Sequence, residues 1–253
     1  DNYRKEVSED CLYLNVFCPA DYAGEPLPVI FYVHGGSLTT GESYYSEYRG
    51  ESLAKKGVIF VNFAYRLGVM GYYANSELAA ESENGTTGNY GLLDQIAALK
   101  WVSPLTEGLF VRAIAESSSV LAIKPYHTFR TKASALDTGK KIMKEFGASN
   151  IAELREIPAT ELINTQYANS SMTIDGYAII EQPYLTYEKG NNHETALLNG
   201  FNAKEGDAFL LGYKATAENY ESLLKPIAGK YAAELAALVP AGSITCRPGL
   251  DSS

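Results

Sequence analysis

The 253 residues carry 21 basic and 30 acidic side chains, a net charge of −9, and 46% of them are hydrophobic. An acidic chain whose basic residues never cluster beyond a Lys-Lys pair is a poor match for nucleic acid or an anionic membrane. No apolar run approaches the ~20 residues of a membrane-spanning helix, and the apolar content is enough for a sizeable core. The first residue is Asp1, so the natural N-terminus is expected upstream. Cys11, Cys18 and Cys246 include no CxxC pair, which argues against a metal site. Cys11 and Cys18 stand too far apart to bridge if the segment between them is extended. The triplets Asn84-Gly85-Thr86 and Asn169-Ser170-Ser171 match the N-glycosylation pattern, a pattern common enough by chance to leave the compartment open.

In chain order, Glu9 to Pro19 reads as a strand with Leu12, Leu14 and Val16 turned inward. A polar turn over 20–28 leads into Val29–Val33, a β-branched and aromatic run expected as a buried strand. Tyr44, Tyr45 and Tyr48 suit the rim of a pocket. Ser52–Lys56 reads as a helical turn, Val58–Tyr65 as a core strand and Arg66–Tyr73 as irregular. Asn89–Val102 carries the clearest helical pattern, ended by Ser103-Pro104. Phe110–Ala115 and Thr195–Phe201 read as further strands, and the stretches holding Leu136–Phe146 and Thr160–Ile163 as helices. Ala217–Leu238 is helical with a kink expected at Pro226. Strands alternating with helices imply an α/β fold on a mostly parallel sheet, in one domain over residues 1–253.

The stretch with chemical content is Pro28–Gly41, PVIFYVHGGSLTTG. A strand that empties into His34-Gly35-Gly36 presents backbone N–H groups at the carboxyl edge of a sheet, with no Cβ to obstruct a ligand. A plain tight turn is the structural reading. A phosphate loop would need GK[ST] or GxGxxG, and neither is present.

Several stretches together resemble the type-B carboxylesterases. SEDCLYLNVFCP at Ser8–Pro19 is similar to that family's second signature. PVIFYVHGGSLTTG resembles its oxyanion strand and loop, with Ser37 and Leu38 where a third Gly and a Phe are usual. VNFAYRLGVMGY at 61–72, GNYGLLDQIAALKWV at 88–102 and SPLTEGLFVRAIAESSS at 103–119 resemble the blocks that follow. IDGYAI at 174–179 and LLNGFNAKEGDAF at 197–209 resemble the blocks around the catalytic acid. The resemblance implies an α/β-hydrolase, a mostly parallel central sheet flanked by helices, that cleaves small-molecule carboxylic esters through a Ser-His-Glu acyl-enzyme mechanism. It places the acid at Glu205 and the oxyanion hole at Gly35, Gly36 and Ser37, with Gly35 giving the bend. It implies no cofactor and no metal, and leaves the oligomeric state open.

The pattern is incomplete in this chain. No Gly-x-Ser-x-Gly occurs, and the blocks that flank the family's nucleophile elbow meet at Val102–Ser103. Ser117, in AESSS, is a poor substitute, because its upstream context matches the strand after the elbow. The histidines are His34, His127 and His193, and all precede Glu205, whereas the hydrolase order is Ser, acid, His. His34 falls in the oxyanion block, where the family role is loop packing, and the other two sit in polar loops. A central strand cannot be removed without orphaning its neighbours' hydrogen bonds, at about 1–3 kcal/mol each. The Val102–Ser103 join is therefore expected to be a discontinuity, wider than the roughly 3.8 Å of a trans peptide, in a larger fold with parts also missing before residue 1 and after 253. The alternative is a catalytically silent binding, adhesion or scaffold protein on the same fold.

Overall fold

The computed structural model describes residues 8–24, 26–102, 110–117, 129–167, 171–192, 195–202, 216 and 218–238. The join at Ser103, and Glu205, His127 and His193, lie outside them. Two compact units divide the chain, 1–111 with 128–195 and 112–127 with 196–253.

The first unit is built on β1 (Leu14–Phe17), β2 (Val29–Tyr32) and β3 (Ile59–Phe63), in the order β1-β3-β2. β1 runs antiparallel to β3, with Leu14 opposite Phe63. β2 runs parallel to β3, with Val29 opposite Ile59 and Tyr32 opposite Asn62. The parallel pair needs a crossover, which carries the 3-10 turn Ser46–Tyr48 and helix α1 (Glu51–Ala54). The apolar run of β3 is buried as expected, from Phe60 to Phe63. β2 is not: Val29 is 49% and Ile30 36% exposed, because β2 is an edge with one neighbour among the described residues. β1 is the opposite edge, so Leu12 and Val16 also remain half exposed instead of turning inward. Cys11 and Cys18 flank it, unbridged and exposed.

Asn62 is the polar exception inside β3. Its amide donates to the carbonyls of Ser43 (3.2 Å) and Tyr48 (2.6 Å), and its oxygen accepts from Asn15 across the strand pair. A buried amide is stable only when satisfied in this way, and here the partners tie the crossover loop to the sheet. Tyr48 packs between Tyr32 and Tyr45, while Tyr44 and Tyr45 stay exposed.

Behind the sheet come α2 (Gly68–Tyr72), α3 (Ser76–Glu81) and α4 (Tyr90–Val102). α2 falls where the sequence reads as irregular. Two glycines in five residues weaken its propensity, and tertiary packing supplies the helix instead. Asn75 caps α3 by accepting the Glu77 N–H at 2.6 Å. β5 (Arg130–Thr131) leads into α5 (Lys132–Glu145), capped by Thr131 on the Ser134 N–H. Then follow α6 (Ile151–Arg155), α7 (Ala159–Leu162), β6 (Thr173–Ile174), parallel to β5, and α8 (Pro183–Glu188). Val69, Tyr73, Ile142, Ile151 and Leu154 form the core between α2, α5 and α6.

Two polar details make testable statements about this unit. The Tyr72 phenol is wholly buried with no hydrogen-bond partner among the described residues, and burial pushes its pKa up. Removing an unpartnered hydroxyl relieves a desolvation cost, so Tyr72→Phe is expected to stabilise by about 1 kcal/mol, read as a rise of a few degrees in Tm. Asp175 accepts from the Thr86 hydroxyl and from the N–H groups of Tyr177 (3.1 Å) and Ile179 (3.0 Å). Partial burial opposes its charge, but the hydrogen bonds from Ile179, Thr86, Tyr177 and Asn89 outweigh it and lower its pKa. A depressed carboxylate stabilises the fold above its unfolded pKa near 3.9 and loses that contribution as pH falls through the depressed value. Urea midpoints for Asp175→Asn should therefore lie below wild type at pH 7 and converge with it in acid.

The second unit holds β4 (Arg112–Glu116) and β7 (Ala196–Gly200), paired in parallel from Arg112 opposite Ala196 to Glu116 opposite Gly200. It also holds α9 (Tyr220–Ala228), a 3-10 turn over Gly229–Tyr231 and α10 (Ala232–Leu238). Pro226 lies inside α9, which ends at Gly229, whose φ is +52°.

Candidate active site

The loop after β2 has a defined and strained geometry. Gly36 has φ +121°, Ser37 +53° and Leu38 +63°, three successive residues in the left-handed half of the map. Strain of about 1–3 kcal/mol per non-glycine residue persists only where the surroundings enforce it. Here they do. A Cβ at Gly36 would meet the Thr40 carbonyl oxygen at 2.1 Å, so the position demands glycine for space as well as for φ. The Gly36 carbonyl accepts the N–H groups of Thr39 (3.1 Å) and Thr40 (3.0 Å), and the Leu38 carbonyl accepts the Gly68 N–H at 2.7 Å.

Below the turn, His34 is buried with its ring stacked on Tyr65, centroids 4.4 Å apart. Its Nδ1 lies 2.8 Å from the Gly35 carbonyl oxygen and serves there as donor, and the Tyr65 hydroxyl donates to the His34 carbonyl at 2.7 Å. Burial, with a smaller contribution from Tyr48, pushes the Tyr65 pKa up to about 12, so it remains a protonated donor at neutral pH. Gly41 closes the back of the loop, where a Cβ would come within 2.5 Å of the His34 Nδ1. By contrast, the N–H groups of Gly36 and Ser37 have no hydrogen-bond acceptor among the described residues, and both residues are exposed. Chemically, this is a pair of donors without an acceptor among the described residues, on a loop braced from below by the buried His34 ring.

A second brace lies immediately beyond. Arg66 reaches Asp94 of α4 through its backbone N–H (3.0 Å), Nε (2.9 Å) and a guanidinium NH2 (2.7 Å), and its guanidinium stands 5.3 Å from the centre of the Tyr90 ring. The Asp94 side chain is 8% exposed. Both this pair and Tyr65 escape a reading of the sequence, since each joins positions about thirty apart with no local pattern. An apolar cleft of about 190 Å³ between Leu12, Ala64, Asp94 and Trp101 holds no free acid, base or nucleophile, Asp94 being committed to Arg66.

Ser117 follows β4 in the second unit with φ +56°, its N–H donating to the Gly200 carbonyl at 2.8 Å. Among the described residues no base is hydrogen-bonded to its hydroxyl. β2 and β4 belong to separate sheets, one in each unit. Among the described residues no cluster of His, Cys, Asp and Glu is arranged to hold a metal, and no helix is long and apolar enough to cross a membrane.

Comparison with known proteins bears on this geometry. Residues 1–104 match the model of the Carboxylesterase family. Fumonisin B1 esterase of Sphingopyxis macrogoltabida is 32% identical over 247 aligned positions, covering 80% of this chain and 44% of that enzyme. Cholinesterase 1 of Branchiostoma lanceolatum is 31% identical over 256 positions, covering 81% and 70%. A PNB esterase structure superposes with a TM-score of 0.72 at 28% identity, over 92% of this chain and 58% of that one. The chain thus spans about half the length of most of these relatives. Eighty per cent of 253 residues is about 202, so about 45 of the 247 positions aligned with fumonisin B1 esterase face a gap in this chain. Shared sequence with a cholinesterase over 70% of its length, and a shared fold with an esterase, make this chain a member of the type-B carboxylesterase family, with the α/β-hydrolase fold.

Proposed function

We propose that this chain is part of a carboxylic ester hydrolase that works through an acyl-enzyme, in a single, here incomplete, α/β-hydrolase domain over residues 1–253. Gly36 and Ser37 donate their N–H groups to the oxyanion, Gly35 sets the bend, and Glu205 is the acid of a Ser-His-Glu triad. The observation that carries the reading is the braced loop with two free N–H groups. Donors fixed in advance stabilise charge as it forms on a carbonyl oxygen, without reorganising at that moment. Serine attack on the ester carbon gives a tetrahedral oxyanion, which collapses to the acyl-enzyme and an alcohol. Water activated by the same histidine then releases the acid. Glu205 holds that histidine in the required tautomer and steadies its imidazolium.

The serine and histidine are assigned to segments that this chain does not contain. The roughly 45 positions of the fumonisin B1 esterase alignment that face gaps in this chain, taken together, support that assignment. A second reading, a silent binding protein on the same fold, takes the missing Gly-x-Ser-x-Gly as a real loss. Expression from the uninterrupted gene separates the two. Turnover of p-nitrophenyl acetate that a serine-directed organophosphate abolishes is expected for the hydrolase. A folded gene-length protein without turnover would establish the silent reading.

A further inference from the structure

We propose that Tyr65 is a positioning residue for the oxyanion loop, aiming its donors through the peptide planes of His34 to Ser37. The inference rests on the oxyanion reading of that loop and adds to it a residue outside the loop. A trans peptide is planar, so a hydrogen bond that fixes the carbonyl of one residue also fixes the N–H of the next, pointing the opposite way. Three consecutive planes here are each held from the carbonyl side. The Tyr65 hydroxyl holds the His34 carbonyl at 2.7 Å and so sets the Gly35 N–H. The His34 Nδ1–H holds the Gly35 carbonyl at 2.8 Å and so sets the Gly36 N–H. The Thr39 and Thr40 N–H groups hold the Gly36 carbonyl and so set the Ser37 N–H.

Tyr65 acts on two of these three planes. Its hydroxyl fixes the first directly, and its ring, stacked on the His34 imidazole 4.4 Å away, fixes the donor that holds the second. The phenol is itself firmly held, because Tyr65 is buried two residues beyond β3 and its ring packs against Phe63 at 6.0 Å. The donors that would meet the oxyanion thus take their direction from a phenol that need not touch substrate.

The test reads N–H directions without substrate. In 15N-labelled full chain in a dilute aligned medium, residual dipolar couplings are measured for Gly35, Gly36 and Ser37 in wild type and Tyr65→Phe. The expected result is that these three couplings fall by half or more while those of Ile59–Phe63 and α5 stay in place. Unchanged couplings at Gly35–Ser37 in a folded variant overturn the proposal. The wild-type His34 carbonyl 13C shift, compared between H2O and D2O, serves if the variant does not fold. An isotope shift is expected from a phenol O–H donor, and its absence overturns the proposal. Absence of ester turnover would sink the hydrolase reading alone, since neither measurement depends on it. In an active gene-length protein, Tyr65→Phe should lower kcat about tenfold with KM unchanged, a split that a general loss of packing would not give.

Discussion

Gly91→Ala is expected to destabilise the first unit by about 3 kcal/mol or more, a fall of roughly 6–12 °C in Tm. The added methyl would lie 2.2 Å from the Arg66 carbonyl oxygen and 2.8 Å from the Tyr72 hydroxyl. Neither neighbour can retreat cheaply. Arg66 is fastened to Asp94, one turn further along the same helix, by its own N–H and by two guanidinium bonds. Moving its carbonyl away from Gly91 therefore means disturbing an ion pair whose carboxylate is buried. On the other side, Gly71 already meets the same oxygen, where a Cβ would sit at 2.2 Å. Tyr72 is wholly buried, so its ring has nowhere to swing. Gly200→Ala provides the control, because a methyl there meets nothing within 4 Å. Thermal melts of the two variants should differ widely; equal midpoints would mean that α2 and α4 can separate without cost.

The contrast between Gly91 and the HGG loop shows what a sequence discloses. β3 was legible because burial on both faces leaves an apolar run broken only by Asn62, and α4 because it ends at a Ser-Pro signal. α5 announced itself by spacing and by the glycine after its last turn, Gly147 with φ +69°. β1 and β2 were legible as strands but not in their exposure, since whether a strand is an edge depends on neighbours that its own residues do not encode. α2 was hidden because its two glycines read as loop, although Gly71 serves close approach to the Arg66 carbonyl and Gly68 a positive φ.

At the candidate site the same division holds. His34, Gly35 and Gly36 are adjacent in sequence, so the loop could be singled out from residue type and order. Tyr65 and Asp94, which brace them or their neighbours, are fixed by contacts across 31 and 28 residues. Ser37 and Leu38 depart from the family's usual Gly and Phe, yet both adopt positive φ. The loop geometry here is therefore enforced by its bracing, at a cost that a glycine at position 37 would avoid.

In the gene-length protein, Glu205→Gln is expected to lower kcat for p-nitrophenyl acetate by about 10⁴-fold, with KM changed little. The size follows from the role assigned to the carboxylate. A histidine that takes the serine proton becomes a cation, and an acid behind it both stabilises that cation and keeps the neutral ring in the tautomer that accepts from serine. Glutamine keeps the shape, but its amide favours the wrong tautomer and carries no charge. In that role the carboxylate contacts the histidine and not the substrate, so the loss would fall on kcat. A helix-start carboxylate at the surface, the ordinary reading of a glutamate in such a block, would be worth only about 0.3–1 kcal/mol of stability and no rate. The two roles therefore differ by several orders of magnitude in one measurement. Thermal melts run beside the kinetics check that the variant is folded. A folded Glu205→Gln protein that keeps wild-type kcat would remove Glu205 from the triad while leaving the Gly36 and Ser37 donors in place.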